Sequence, residues 1–231
     1  MITHKFNYSD ISRTSENGKR LYSLPDGSKV PSVTTILEAT KSIEKVQKLA
    51  EWRKRVGEKQ AAAITLEASS RGTRMHKFLE DWIATDILKE PGTNPYSIQS
   101  QKMAKIAIDN GLSKCSEFWG SEVNLYVPGL YAGQTDLTGI HSGKPSIMDF
   151  KQTNKPKKTE WIEDYFIQTA AYAVAHDELF PECKIEQGVI IMVSAEFQYQ
   201  EWVISGEEFQ QYKDMWLERV ERYYKLVGMM E

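Results

Sequence analysis

Asp136, Asp149 and Lys151 are the residues of this chain whose types and spacing point most directly to chemistry. The two strand-like segments that carry them are joined by a polar stretch, which predicts a hairpin turning at Ser142-Gly143. In that register Asp136 lies directly opposite Asp149. Like charges at opposed strand positions repel each other, so we expect a divalent cation to compensate them. Two carboxylates and an ammonium group arranged in this way are suited to holding a metal ion against a phosphodiester.

Lys151 follows Asp149 by two residues, so both side chains emerge from the same face of their strand. Met148 and Phe150 alternate onto the opposite face, which indicates a strand buried on that side. The alternative is an ordinary solvated hairpin whose charges face water, because charged residues are mostly exposed.

A predicted helix over 71–88 supplies a candidate third ligand. Its apolar residues recur at the spacing of one buried face, namely Met75, Phe78, Leu79, Trp82 and Ile83. His76 falls at the edge of that face, where an imidazole can reach an interior cleft and bind a first-row metal. The alternative is a histidine that is hydrogen-bonded at the border of the core.

Basic and polar side chains surround these candidates. Arg71 and Arg74 begin the His76 helix, and we expect them to contact phosphates, although nearby acidic residues leave open a merely solvated face. The lysines after the second strand are predicted to hold flanking phosphates: Lys155, Lys157 and Lys158. Gln168 and Tyr172 share one face of a later helix. They form either the edge of the cleft or an ordinary polar flank.

Composition sets the outer limits. The chain has 231 residues and a net charge of −3, which argues against a large non-specific surface for nucleic acid. Its two cysteines are isolated, which predicts free thiols in a reducing cytoplasm and excludes a four-cysteine zinc or iron–sulfur site. The longest apolar run, 188–195, is too short to span a bilayer, and the polar N-terminus suggests no leader. We therefore expect a cytoplasmic protein.

The order of predicted elements indicates an α/β (α+β) protein with a central mixed sheet. We expect residues 1–115 to form a helical region with a small hairpin at 20–33, residues 116–231 to form a βββαββα core, and the two to form one compact domain. The predicted helices cover 43–67, 72–88, 97–110, 159–179 and 205–227, and the predicted core strands cover 117–127, 131–140, 146–152, 185–194 and 197–204. The long helix between strands permits a parallel crossover.

These motifs resemble a known superfamily. The spaced sets Gly133-x-x-Asp136, Asp149-Phe150-Lys151 and Gln168-x-x-x-Tyr172 resemble the PD-(D/E)XK nucleases of the RecB-type branch, although Thr135 replaces the proline of the superfamily name. Arg71-Gly72-x-x-x-His76 is similar to the helical histidine motif of that branch. Within the branch, the chain is similar to the mitochondrial genome maintenance exonuclease family, through 31–37, 71–81 and 122–224.

The resemblance implies a restriction-endonuclease-like core and a helical N-terminal half that forms an arch. It implies a DNA exonuclease that uses one or two Mg²⁺ or Mn²⁺ ions and prefers single-stranded DNA with a free end. The implied metal ligands are His76, Asp136, Asp149 and the Phe150 backbone carbonyl, and the implied catalytic residues are Asp136, Asp149, Lys151, Gln168 and Tyr172. No iron–sulfur cluster is expected.

Two other functions remain open on the sequence. One is a structure-selective or sequence-specific endonuclease on the same fold. The other is a nucleic-acid-binding module that has lost its chemistry. We expect a monomer that does not bind membranes, from a bacterium or a phage-infected host, and a mitochondrial location stays possible.

Overall fold

The computed structural model describes residues 2–16 and 18–228, and it has the predicted α+β architecture. The elements in chain order are β1 (Ser12–Glu16), β2 (Lys19–Ser23), β3 (Lys29–Pro31), α1 (Val33–Ala39), α2 (Ile43–Val56), α3 (Glu58–Thr85), α4 (Pro95–Asn110), β4 (Cys115–Val127), β5 (Tyr131–His141), β6 (Lys144–Thr153), α5 (Glu163–Leu179), β7 (Gln187–Ser194), β8 (Tyr199–Ser205) and α6 (Gly206–Leu226). Among these helices, none has both the length and the apolar character needed to cross a membrane.

The central sheet has five strands in the order β4-β5-β6-β7-β8 and is mixed, as predicted. Only β6 and β7 run parallel, because α5 makes the long crossover between them, and the other neighbouring pairs are antiparallel. One face of the sheet packs against α1, α5 and α6, and the other packs against α3 and α4. The βββαββα order of the core is confirmed.

The predicted β5–β6 hairpin is correct in register. Ser142 and Gly143 form the two-residue turn, and both have the positive φ angles (48° and 82°) that this turn type requires. Pairing extends from the turn as far as Leu137, which lies opposite Met148. Beyond that pair β5 continues along β4 while β6 continues along β7. The two strands separate at Asp136 and Asp149, and we call this point the fork.

The prediction of a helix boundary near Gly72 was wrong. A single helix, α3, runs through Gly72, and the break lies at Gly57, whose φ of 85° ends α2. Gly72 instead lies where α3 passes close to β6, since a Cβ atom there would stand 3.3 Å from Gln152 Cγ. This close approach brings the following turn of α3, with His76, against the fork.

The predicted hairpin at 20–33 forms β2 and β3, and β1 adds a strand that the sequence did not predict. The residues of β1 are all exposed, so they lack the apolar alternation that identifies a strand. This small sheet packs on β5 through a cluster of Ile11, Tyr22, Leu24, Val30 and Ala132. Ser32 caps α1, accepting a hydrogen bond from the Thr35 amide. The arch stays a prediction.

Candidate active site

The side chains of Asp136 and His76 fill the gap that opens at the fork. The Phe150 amide donates to Asp136 Oδ2 at 2.6 Å, and the His76 Nε2 atom lies 2.9 Å from the Phe150 carbonyl oxygen. These are the two backbone groups that lose their partner when β5 turns away, and buried backbone groups need partners. The structure therefore places the Phe150 carbonyl, a predicted metal ligand, against His76.

Three ligand-type groups converge beside the fork. Ligand atoms of His76, Glu122 and Asp136 all lie within 4.8 Å of one another. His76 Nδ1 is 3.5 Å from Asp136 Oδ1, which confirms that the edge of the helical face reaches this cleft. Such a set of one imidazole and two carboxylates is able to hold a divalent metal ion.

Glu122 is the residue of this cluster that the sequence analysis missed. The residues on either side of Glu122 pair with those on either side of Asp136, so the two carboxylates face each other across β4 and β5. A signal for it was present, because the turn that pairs Val127 with Tyr131 fixes this register. Glu122 also has a positive φ of 54°, a conformation that is strained for a residue with a Cβ atom.

The remaining predicted residues form a second, connected group. Lys151 makes an ion pair with Asp149 Oδ2 and donates to Gln168 Oε1 at 3.2 Å. Gln168 Nε2 in turn donates to the Tyr172 hydroxyl at 3.1 Å. Gly133 lets the Tyr172 ring approach β5, since a Cβ atom at position 133 would stand 2.6 Å from Tyr172 Cε1.

Both groups line one cavity of about 190 Å³. It contains Asp136, Asp149, Lys151, Gln168 and Tyr172, and Glu122 contributes to its wall. The five residues that the sequence analysis proposed as catalytic thus line the same cavity. His76 approaches from the α3 side, where it lines an adjoining groove with Glu122.

Burial and mutual repulsion control the charges of the cluster. Burial raises the pKa of Glu122 to about 7, and the neighbouring Asp136 carboxylate adds to the rise. Burial opposes the charged form of His76, but Asp136 outweighs it and raises the pKa of His76 to about 9. Burial also raises the pKa of Asp149 despite the nearby Lys151. The pKa of Asp136 is lowered, because His76 and Lys151 offset the effect of its burial.

The two arginines predicted to contact phosphates lie on other faces of α3. Arg71 is only 2% exposed, and its guanidinium donates to Gln152 Oε1 at 2.8 Å and to Asn154 Oδ1. It therefore ties α3 to the end of β6. Arg74 faces α4, where Nε donates to Ser100 Oγ and the guanidinium lies over the Tyr96 ring. Neither side chain lines the cavity of the site, within the residues that the structure describes.

The three predicted lysines lie on the loop after β6, outside the wall of the cavity. Lys157 is fixed through its backbone, which exchanges two hydrogen bonds with the Gln200 side chain of β8. The side chains of Lys155 and Lys158 are exposed. DNA contact by any of the three stays a prediction.

Comparison with known proteins adds independent information. No protein-family model matches the chain. It is 30% identical over 175 residues to mitochondrial genome maintenance exonuclease 1 of Xenopus tropicalis, a match that covers 71% of this chain and 48% of the relative. The chain thus spans about half the length of the curated relative. A crystal structure of a putative exonuclease from Eubacterium rectale aligns with a TM-score of 0.49 at 15% identity, covering 71% of this chain and 69% of that one.

The similar protein and the geometry of the site point to the same kind of protein. The aligned relative is the kind of protein that the motifs resemble, and the motif residues meet at the fork of a mixed sheet flanked by helices. Membership of the RecB-type branch stays a prediction. Over about half of that relative's length this chain is similar to mitochondrial genome maintenance exonuclease 1, and its motif residues lie where a PD-(D/E)XK-like core carries them.

Proposed function

We propose that this protein is a divalent-metal-dependent nuclease that hydrolyses DNA phosphodiester bonds. The observation that carries the proposal is the convergence of His76, Glu122 and Asp136 within 4.8 Å, in contact with the cavity that holds the Asp149–Lys151 ion pair. Two half-buried carboxylates side by side destabilise each other unless a cation lies between them. The name of the sequence relative, an exonuclease, supports the same activity.

The donor set fits Mg²⁺ or Mn²⁺, and the imidazole favours a metal that accepts nitrogen as well as oxygen. His76, Glu122 and Asp136 would hold one ion, whereas Asp149 lies outside this cluster in the same cavity as Asp136 and is paired with Lys151, so we propose it as a ligand of a second ion. A bound ion would make a coordinated water more acidic and neutralise charge on the phosphate.

The other residues have distinct roles in this proposal. Lys151 is kept protonated, because Asp149 and Asp136 outweigh the effect of its burial and raise its pKa. Its ammonium group is a point charge that can stabilise the negative charge that develops on the phosphate. Gln168 fixes the direction of that ammonium group through the 3.2 Å hydrogen bond. Tyr172 accepts from Gln168, which leaves its own proton free to donate to a phosphate oxygen or a water.

We further propose that the enzyme is an exonuclease that prefers single-stranded DNA with a free end. The cavity of about 190 Å³ at the carboxylates has room for one phosphate group, and the similarity to a protein named an exonuclease supports action at a free end. The net charge of −3 also argues against wrapping of a long duplex, which requires an extended basic surface.

The test is hydrolysis of single- and double-stranded oligonucleotides labelled at either end, with Mg²⁺, with Mn²⁺ and with EDTA. We expect cleavage only with a metal ion, and its loss in D136N, D149N and K151A. D214N is the matched control, because Asp214 is exposed on α6 and its side chain, among the described residues, is hydrogen-bonded only to Gln210. Full activity in any of the three site variants would contradict the assignment.

Circular single-stranded DNA separates the exonuclease from an endonuclease on the same fold. An enzyme that needs a free end leaves the circle intact, whereas an endonuclease opens it. A calorimetric titration with Mn²⁺ addresses the binding module: absence of metal binding together with absence of hydrolysis would favour that alternative.

A further inference from the structure

Two arginines of the small N-terminal sheet face the proposed active site. In the β1–β2 ladder Arg13 pairs with Tyr22, and Ser15 pairs with Arg20. Paired residues share a face of a sheet, and so do residues two apart on one strand, so all four side chains emerge on the same side. Tyr22, Arg13 and Arg20 line the cavity that contains Asp136 and Asp149, which identifies that side as the one turned toward the site.

The position of this face is fixed by the backbone. The Ser32 amide and the Thr35 hydroxyl both donate to the Arg20 carbonyl oxygen, at 3.0 Å and 3.1 Å. An isolated bridge between Ser32 and Ala132 joins the same segment to β5, next to Gly133. The two arginines are therefore held in a constant relation to the fork.

Neither arginine forms an ion pair in the part of the chain that the structure describes. Across residues 2–16 and 18–228, no carboxylate oxygen lies within 4.0 Å of the Arg13 or Arg20 guanidinium, whereas Lys29 of the same sheet pairs with Glu16 at 2.5 Å. Arg13 and Arg20 are also diagonal neighbours on one face, an arrangement in which like charges repel. An anionic ligand would relieve that repulsion.

Arg13 lies where three cavities meet. It lines the site cavity, a groove of about 760 Å³ between the small sheet and α1, and a groove of about 500 Å³ between α3 and β4. Arg20 and Thr34 line both the site cavity and the α1 groove. The two grooves thus form one path across the fork, with Arg13 beside its centre.

We propose that Arg13, Arg20 and the Thr34 hydroxyl bind a phosphate group of the substrate strand next to the phosphate that is hydrolysed. This inference rests on the proposed function and adds to it the route of the strand, from the α3 groove over the fork into the α1 groove. Guanidinium groups bind phosphate oxygens through two parallel hydrogen bonds, which suits them to this position. They also offset the repulsion between a polyanion and the nearby carboxylates.

The test is equilibrium binding of a short fluorescein-labelled oligothymidylate with Mg²⁺, in the full chain carrying D149N to prevent cleavage. R13A, R20A and the double variant are compared with K29A, which removes one positive charge from the same sheet but lines none of the three cavities. We expect each arginine variant to weaken binding about tenfold, as for the loss of one charge-assisted hydrogen bond, and K29A to bind like the parent.

Two further measurements separate phosphate binding from a structural effect. The dependence of the dissociation constant on salt should become shallower in R13A and R20A, because fewer phosphate contacts remain, and R13K should recover part of the affinity. In the chain with Asp149 intact, R13A and R20A should raise KM more than they lower kcat. Thermal unfolding shows whether each variant is folded.

Oligonucleotides with a 5′-phosphate, a 5′-hydroxyl or a 3′-phosphate identify the source of the phosphate. If the arginine variants lose the same affinity for all three oligonucleotides, the bound group is an internal phosphodiester. If the loss is confined to one of the two phosphorylated oligonucleotides, the bound group is its terminal phosphate. Both results support the subsite. The inference is overturned if the parent binds and the active chain cleaves while R13A and R20A match K29A in affinity and salt dependence. Failure of the proposed function looks different, because the unmodified chain would then cleave no DNA.

Discussion

Replacing Glu122 with glutamine tests whether this carboxylate is placed for metal binding rather than for stability. Burial and Asp136 raise the pKa of Glu122 from its ordinary value of 4.5 to about 7, so the folded state resists ionising it. The folded state then binds more protons than the unfolded state between these values, and the free energy of unfolding falls as pH rises through that window. At about 1.4 kcal/mol per pKa unit the cost is at most about 3 kcal/mol, and partial exposure of the side chain reduces it to about 1–2 kcal/mol.

We therefore expect E122Q to be more stable than the parent by about 1–2 kcal/mol at pH 8 in EDTA, and to show no difference at pH 4. Urea unfolding followed by circular dichroism measures both values. Addition of Mn²⁺ should reverse the order, because a ligand that binds only the folded state stabilises it in proportion to its affinity, and glutamine is a weaker ligand than glutamate.

The control is E196Q, since Glu196 is exposed on the loop between β7 and β8, and we expect E196Q to match the parent in stability both in EDTA and with Mn²⁺. Two results would refute the reasoning. If E122Q is less stable than the parent in EDTA at pH 8, Glu122 is not a crowded carboxylate. If Mn²⁺ stabilises E122Q and the parent equally, Glu122 is not a ligand.

Three further substitutions test the packing and the buried charges. G133A should lower the free energy of unfolding by about 1–3 kcal/mol, because its Cβ atom would stand 2.6 Å from the Tyr172 ring. G72A should lower it less, because its Cβ atom would stand 3.3 Å from Gln152 Cγ and alanine is favoured over glycine within a helix; equal urea midpoints for the two would contradict this reading. Burial lowers the pKa of His176 to about 4, so stability should fall as pH drops from about 6.5 toward 4. H176F should flatten that part of the profile, and an unchanged slope in urea unfolding at pH 5 and pH 7 would show that another group is responsible.

Local turn chemistry explains why much of the site was predictable. The Ser142-Gly143 turn fixes the register of β5 and β6, and that register alone places Asp136 near Asp149. Alternation along β6 then places Lys151 beside Asp149. The i, i+4 spacing of Gln168 and Tyr172 puts both side chains on one face of α5. Each step depends on residues that are close in sequence, and for that reason it could be read without a structure.

Other features depend on contacts that are distant in sequence. Gly72 is needed for the close approach of Gln152, which is distant in sequence. Nothing in the local sequence distinguishes such a packing glycine from one that ends a helix. Arg71 appeared as a surface cation because its partners, Gln152 and Asn154, are brought to it only by the fold. Glu122 lies within the register that the turn at Val127 and Tyr131 sets, but its positive φ of 54° departs from regular strand geometry.

The fork also bears on how an inactive form of this protein should be made. Asp136 both belongs to the ligand cluster and accepts the hydrogen bond of the Phe150 amide, so its truncation to alanine would leave a backbone donor without a partner in the interior. The Asp149 side chain is not needed as a partner for the main chain, because the backbone of β6 at that position pairs with β7. For trapping a complex with intact DNA, D149N is therefore preferable to D136A, because it keeps the partner of the Phe150 amide and alters the Asp149–Lys151 ion pair instead.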